Sequence, residues 1–147
     1  MIGRWLTLAV FAVAAVCTGA RAQDFVTPRQ AIERAADAAP AGVDGTFTLQ
    51  VRAVGVQDGI LYLNSERDYR DQRNLSIDIP PSVAAALLAK YGSPPMTFLM
   101  GKHIAVTGQA RRVTIWFQCD GKATDKYYYQ THVELHDASQ IEILPES

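Results

Sequence analysis

Arg67, Tyr69, Arg70 and Arg73 fall together in the stretch "SERDYRDQRN" (65–74). Three guanidiniums could hold phosphates or carboxylates, and a tyrosine could stack on a base or a sugar ring. Glu66, Asp68 and Asp71 are interleaved with them. A mixed-sign run of this kind also describes a solvated, salt-bridged loop, in which each exposed pair is worth only about 0–1 kcal/mol. A metal-dependent phosphoesterase needs carboxylates around a hard cation and an arginine on the phosphate. Asp68, Asp71, Asp78 and Arg70 supply those types, but no histidine or other base is tied to them by spacing.

Two other groups carry chemistry. His132, Glu134 and His136 alternate with Val133 and Leu135 and so share one face of a strand. Same-face neighbours lie about 6.6–6.8 Å apart, which puts the two histidines about 13 Å apart. That is too far to share a zinc with bonds of about 2.1 Å. Tyr127, Tyr128 and Tyr129 are consecutive, so at least one faces outward. With Tyr62, Tyr69 and Trp116 they could build a stacking platform, although tyrosine and tryptophan are also common strand residues. The expected ligand-binding set is therefore Tyr62, Arg67, Tyr69, Arg70, Arg73, Trp116 and Tyr128. No catalytic residue, metal ligand or cofactor is expected.

These residues need elements to hold them. "VTPRQAIERAADAAPAG" predicts a helix with Thr27 as cap, Pro28 in the first turn and Gln30 completing a capping box. Its stripe is Ala31, Ile32, Ala35, Ala36 and Ala39, and Pro40 and Gly42 stop it. From Thr46 the period becomes two. Phe47, Leu49, Val51 and Ala53 share a face, and the pattern then slips to Val54 and Val56, which predicts a bend at Gly55. Asp58-Gly59 predicts a two-residue hairpin turn. "ILYLNSE" and "NLSIDIP" are the second and third strands. A helix follows over 82–91, with Ser82 as cap, Val83, Ala84, Leu87, Leu88 and Tyr91 on one face, and Gly92 closing it. "SPPMTFLMGK" is expected to be loop, "HIAVTGQARRVTIWF" a long strand with a second bend at Gly108, and "QCDGKATDK" a polar connection. "YYYQTHVELHD" and a short "SQIEIL" finish the chain.

Three strands, a helix and two long strands are the order of a five-stranded OB-type Greek-key barrel. The helix between strands three and four is expected to plug it, with a further helix at the N-terminus, and the class is mainly β. "KHIAVTGQARRV" followed by "THVELHDASQIEIL" is similar to the closing strands of many bacterial OB barrels. "LYLNSERDYRDQRNLSIDI" resembles the second-to-third-strand hairpin of small exported OB-fold proteins, most of them without assigned activity. The resemblance spans about residues 45–144. It implies a fold and brings no catalytic residue with it.

The first residues, "MIGRWLTLAVFAVAAVCTGARAQDF", contain a basic Arg4, an apolar run from Leu6 to Val16 and an Ala20-Arg21-Ala22 cleavage site. The run is shorter than the roughly 20 residues a spanning helix needs. A signal peptide over 1–22, an N-terminal helix and linker over 23–44 and a barrel over 45–147 are the expected divisions. The expected location is periplasmic or secreted. A lipidated Cys17 is the alternative, which Val16 disfavours because a small residue should precede that cysteine. Removal of Arg4 and Arg21 from 14 basic residues leaves 12 against 15 acids, a net charge of −3. That opposes a strongly basic nucleic-acid binder. Cys119 is then left without an internal partner, which predicts a partly buried spectator thiol or an intermolecular bond. The expectation is an exported, non-enzymatic OB-fold module that binds a protein, peptide or cell-envelope polymer through 62–73 and 118–129. A single-stranded nucleic-acid-binding protein is the alternative, and a metal-dependent phosphoesterase a more distant one.

Overall fold

A computed structural model describes residues 24–146. The expected signal peptide and Cys17 lie outside the described residues. The elements in order are β1 (Phe25–Val26), α1 (Pro28–Ala38), β2 (Val43–Gln50), β3 (Ala53–Gln57), β4 (Ile60–Asn64) and β5 (Leu75–Ile79). α2 (Pro81–Tyr91), α3 (Pro95–Phe98), β6 (His103–Cys119), β7 (Lys122–Glu134) and β8 (Ile141–Ile143) follow. The fold is mainly β, built on one eight-stranded sheet rather than on five strands. Its path runs β1-β2-β6-β7-β5-β4-β3, and β8 pairs with β6.

β2 and β3 are consecutive in the chain, yet they stand near opposite ends of this path. The break between them falls at Val51–Arg52 and not at Gly55, which pairs regularly with Tyr62. The backbone explains the position. Val51 N–H donates to Lys102 O on the β6 side (2.9 Å), whereas Arg52 N–H donates to Asn64 O on the β4 side (2.9 Å). The chain changes partner between two successive residues. Phe47, Leu49 and Val51 face the core before the break, while Val56 after it is exposed.

Asp58 and Gly59 both take positive φ (52° and 81°), the geometry of a two-residue hairpin turn. β5 lies in the middle of the sheet, antiparallel to β4 and parallel to β7. Leu75, Ile77 and Ile79 are fully buried there, and Leu61, Leu63, Ile104, Val106, Val133 and Leu135 surround them. β6 continues unbroken through Gly108. That glycine serves close approach: a Cβ there would sit 3.0 Å from Val133 Cγ1.

α1 carries the predicted capping box on Thr27 and Gln30, and its buried residues are Ala31 and Ala35. α2 begins one residue before Ser82, because Pro81 suits the first helical turn and Pro80 O receives the Ala84 N–H (2.9 Å). Ser82 is not its cap. Val83 and Leu87 point inward, whereas Leu88 and Tyr91 are exposed, so the apolar face is narrower than predicted. The stretch 93–102, expected as loop, holds the short α3. The connection expected over 118–126 is strand on both sides of a two-residue turn at Asp120 and Gly121. Among the described residues no helix is long and apolar enough to cross a membrane.

Candidate functional site

The 65–74 loop is held from beneath. Asn64, Ser65 and Asn74 are buried, and a buried polar side chain must find partners. Asn74 Nδ2 donates to Asn64 Oδ1 (2.9 Å), Asn74 Oδ1 accepts from Glu66 N–H (3.0 Å), and Ser65 Oγ accepts from Leu75 N–H (2.8 Å). Ser76 Oγ closes the network on Asn64 Oδ1 (3.0 Å). Two of the loop's three acids, Asp68 and Asp71, cap its own backbone. Asp68 Oδ1 accepts from Arg70 N–H and Asp71 Oδ1 from Arg73 N–H, each at 2.9 Å.

Arg73 also grips Asp71 through two side-chain bonds, at 3.0 and 2.7 Å. Its guanidinium, followed by its backbone N–H, holds the Asp71 carboxyl down at about 2. Arg52 pairs with Glu66 at 3.2 Å. The three loop arginines therefore do not converge on one ligand. Arg73 borders a cleft facing α1, Arg67 borders another beside Met100 and Gly101, and Arg70 lies 5.0 Å over the Tyr69 ring.

Tyr69 and Arg70 lean toward β7. Gln130 Nε2 donates to Tyr69 O (3.3 Å) and to the Tyr128 hydroxyl (2.8 Å). Gln130 Oε1 lies 2.8 Å from His132 Nε2, and His132 Nδ1 lies 2.8 Å from both oxygens of Asp78. The Tyr62 ring stands edge-on to His132, with centroids 6.1 Å apart. Tyr128, Gln130 and His132 share the outward side of β7 because strand side chains alternate. Burial raises the Tyr128 hydroxyl above its ordinary value, aided by Tyr69, while Arg70 pulls the other way. Burial likewise raises Tyr62, and Asp78 and Asp58 add to it.

Past the core, β6 and β7 run on as a two-stranded arm. Its turn places Asp120 and Gly121 at positive φ (51° and 74°), and a register shift falls between Trp116 and Gln118. There Phe117 O accepts the Thr124 hydroxyl (2.9 Å). Trp116 packs on Tyr127 (5.1 Å between centroids), Tyr127 on Tyr129 (5.5 Å), and Arg112 lies 4.3 Å over Tyr129. This row continues the core-facing side of β7. Phe117 packs with Tyr128 (5.3 Å). Trp116, Phe117, Tyr127 and Tyr129 are each about half exposed, at 43–50%.

Of the sequence-predicted residues, Tyr62, Tyr69, Arg70 and Tyr128 meet on one face. Trp116 sits on the opposite face of the arm from Tyr128, and Arg67 and Arg73 lie elsewhere. Gln130 and His132 join the face although neither was among the predicted residues. Their signal was the period-two run 128–130–132; His132 was read only with Glu134 and His136, and Gln130 was not singled out. Cys119 is exposed beside the arm's turn, not partly buried. Among the described residues no group of three or more His, Cys, Asp and Glu side chains gathers as metal ligands.

No protein-family model matches the chain, and no curated protein matches it. Among solved structures, the chain is similar to one described as an aspartyl-tRNA synthetase from Leishmania major, at 8% identity and a TM-score of 0.43. That alignment covers 92% of this chain and 23% of the other. It is also similar to an aspartyl-tRNA synthetase from Entamoeba histolytica, at 14% identity and a TM-score of 0.40, over 74% of this chain and 20% of that one. The chain thus spans less than a quarter of the length of either structure it resembles.

Proposed function

We propose that this chain is an exported, non-enzymatic binding module of OB type whose ligand is an extended peptide or cell-envelope polymer. The OB reading takes β2 and β3 as one interrupted first strand. The sheet then runs through β4, β5, β7 and β6 back to β2, with β5 and β7 parallel. β1 and β8 are additions at its edges. Export rests on the composition of residues 1–22.

The observation that carries the binding reading is the arm. Half-exposed aromatic side chains on a two-stranded projection leave apolar surface in water, beside a loop fixed by buried hydrogen bonds. Exposed aromatic clusters of this kind are typical of interaction sites. On the opposite face from Trp116, Tyr69, Arg70 and Tyr128 add hydroxyl and guanidinium groups that can orient a polar polymer.

Trp116 is the one tryptophan in residues 23–147, so its fluorescence reports on the arm. Titration with extended peptides and with oligosaccharide fragments of envelope polymers should give a saturable change that Tyr129→Ala, in the same exposed row as Trp116, weakens. A response to single-stranded oligonucleotide alone would replace this reading with nucleic-acid binding, which the cations Lys122 and Lys126 on the arm and Arg111 and Arg112 at its base favour.

A further inference from the structure

We propose that His132, protonated on both ring nitrogens, is the positioning residue that ties the 65–74 loop to β7 and assembles the binding face. The chain of contacts fixes the protons. Tyr69 O is a carbonyl and can only accept, so the Gln130 group facing it must be the amide nitrogen. Gln130 Oε1 is thereby turned to His132, 2.8 Å away, and His132 Nε2 must donate to it. His132 Nδ1 faces the Asp78 carboxylate and donates there. Two donated bonds require the imidazolium.

Loss of either proton breaks the arrangement. A neutral ring that keeps its Nδ1–H on Asp78 sets an Nε2 lone pair against Gln130 Oε1. Rotation of the Gln130 amide to satisfy Nε2 sets Oε1 against Tyr69 O instead. In both cases Gln130 can satisfy His132 or the loop, not both. The groups around His132 come from every neighbouring strand. Asp78 lies on β5 and Tyr62 on β4, while Arg111 stands opposite in register on β6. Glu134, His136 and Asp44 line the same cleft of about 920 Å³. Asp78 alone among these titratable groups contacts the ring directly through a hydrogen bond.

The inference deepens the binding reading, but it is tested on the free protein. The ring nitrogens of His132 and the amides of the 65–74 loop would be followed by 15N NMR from about pH 5 to pH 8, the range in which histidine titrates. Both ring nitrogens should carry protons at the acid end, and the Tyr69 and Arg70 amides and the Gln130 side-chain amide should shift with the same midpoint as the ring. In Gln130→Glu the carboxylate can accept from His132 but cannot donate to Tyr69 O. Its loop should therefore sit in the high-pH position throughout, while His132 still titrates. A loop that stays fixed while His132 titrates, or a singly protonated His132 at pH 5 with the loop tied, overturns the proposal. Failure here leaves peptide or polymer binding standing, and failure of every binding probe leaves this tie standing.

Discussion

Asn74 and Asp71 sit three residues apart and have opposite consequences. Asn74 is 3% exposed and serves Asn64, Glu66 and Ser65 at once. Asn74→Ala removes the buried donor to Asn64 Oδ1 and the acceptor of the part-buried Glu66 N–H, and lost buried bonds of this kind cost about 1–3 kcal/mol. Chemical denaturation should show that loss. Asp71 is the half-buried partner of an exposed Arg73, and the linkage has a definite sign. Its carboxyl is held at about 2 in the fold against an ordinary 3.8. Its contribution is thus complete above 3.8 and fades as pH falls toward 2. Asp71→Asn should be less stable than the parent near neutrality, and the difference should close at the acid end of a pH series. A gap that widens on acidification would contradict the assigned pairing. The sequence displayed all these side chains, but not which were buried. Asn64 and Asn74 fell within the second and third predicted strands with no role assigned, because their partners lie across a hairpin, whereas burial makes them its fasteners.

Elements were legible where one side of the chain is wet and the other dry. β4 and β5 were legible because Leu61 and Leu63, and Leu75, Ile77 and Ile79, recur at period two toward a single core, and Thr27-Pro28-Gln30 marked α1 through purely local chemistry. Boundaries failed where the cause is a distant partner. The slip placed at Gly55 belongs at Val51–Arg52, since Lys102 O and Asn64 O are invisible in the local pattern. The polar stretch after Phe117 looked like loop because the arm has no core beneath it to demand alternation. Its Asp120-Gly121 pair carried the same turn chemistry as Asp58-Gly59. α2 gives the sharpest test at this scale. Leu87 is fully buried and its neighbour Leu88 is 44% exposed. Leu87→Ala should cost about 2–5 kcal/mol. Leu88→Ala should move stability by less than about 0.5 kcal/mol. Equal effects in thermal or denaturant unfolding would mean that α2 packs by a different face.

The whole molecule separates its charge. The arm proper, Val113 to Gln130, is neutral, with Lys122 and Lys126 against Asp120 and Asp125, and Arg111 and Arg112 at its base, still within the sheet, add two positive charges. Residues 23–147 total −3, so everything outside the arm and its base totals −5. A single-stranded nucleic acid would meet a neutral arm on a weakly basic base with an acidic body behind it, and the body repels the strand beyond the arm within a Debye length of about 10 Å at 0.1 M salt. Even if all four cations of the arm and its base met phosphates, the slope of log affinity against log salt could reach only about −2.8, at about −0.7 per contact. Binding of that kind should be lost at physiological ionic strength. Aromatic stacking on a polar polymer, by contrast, should change little with salt. Trp116 fluorescence titrations with a mixed-sequence oligonucleotide and with the peptide and oligosaccharide probes, each repeated across ionic strength, separate the two cases. The expected result is weak, salt-sensitive binding of the oligonucleotide and salt-insensitive binding of a peptide or oligosaccharide. Sub-micromolar oligonucleotide binding at physiological salt, abolished by joint replacement of Arg111, Arg112, Lys122 and Lys126 with alanine, would reverse the assignment. The arm would then be a nucleic-acid clamp, because only phosphate contacts on those side chains could overcome the charge of the body.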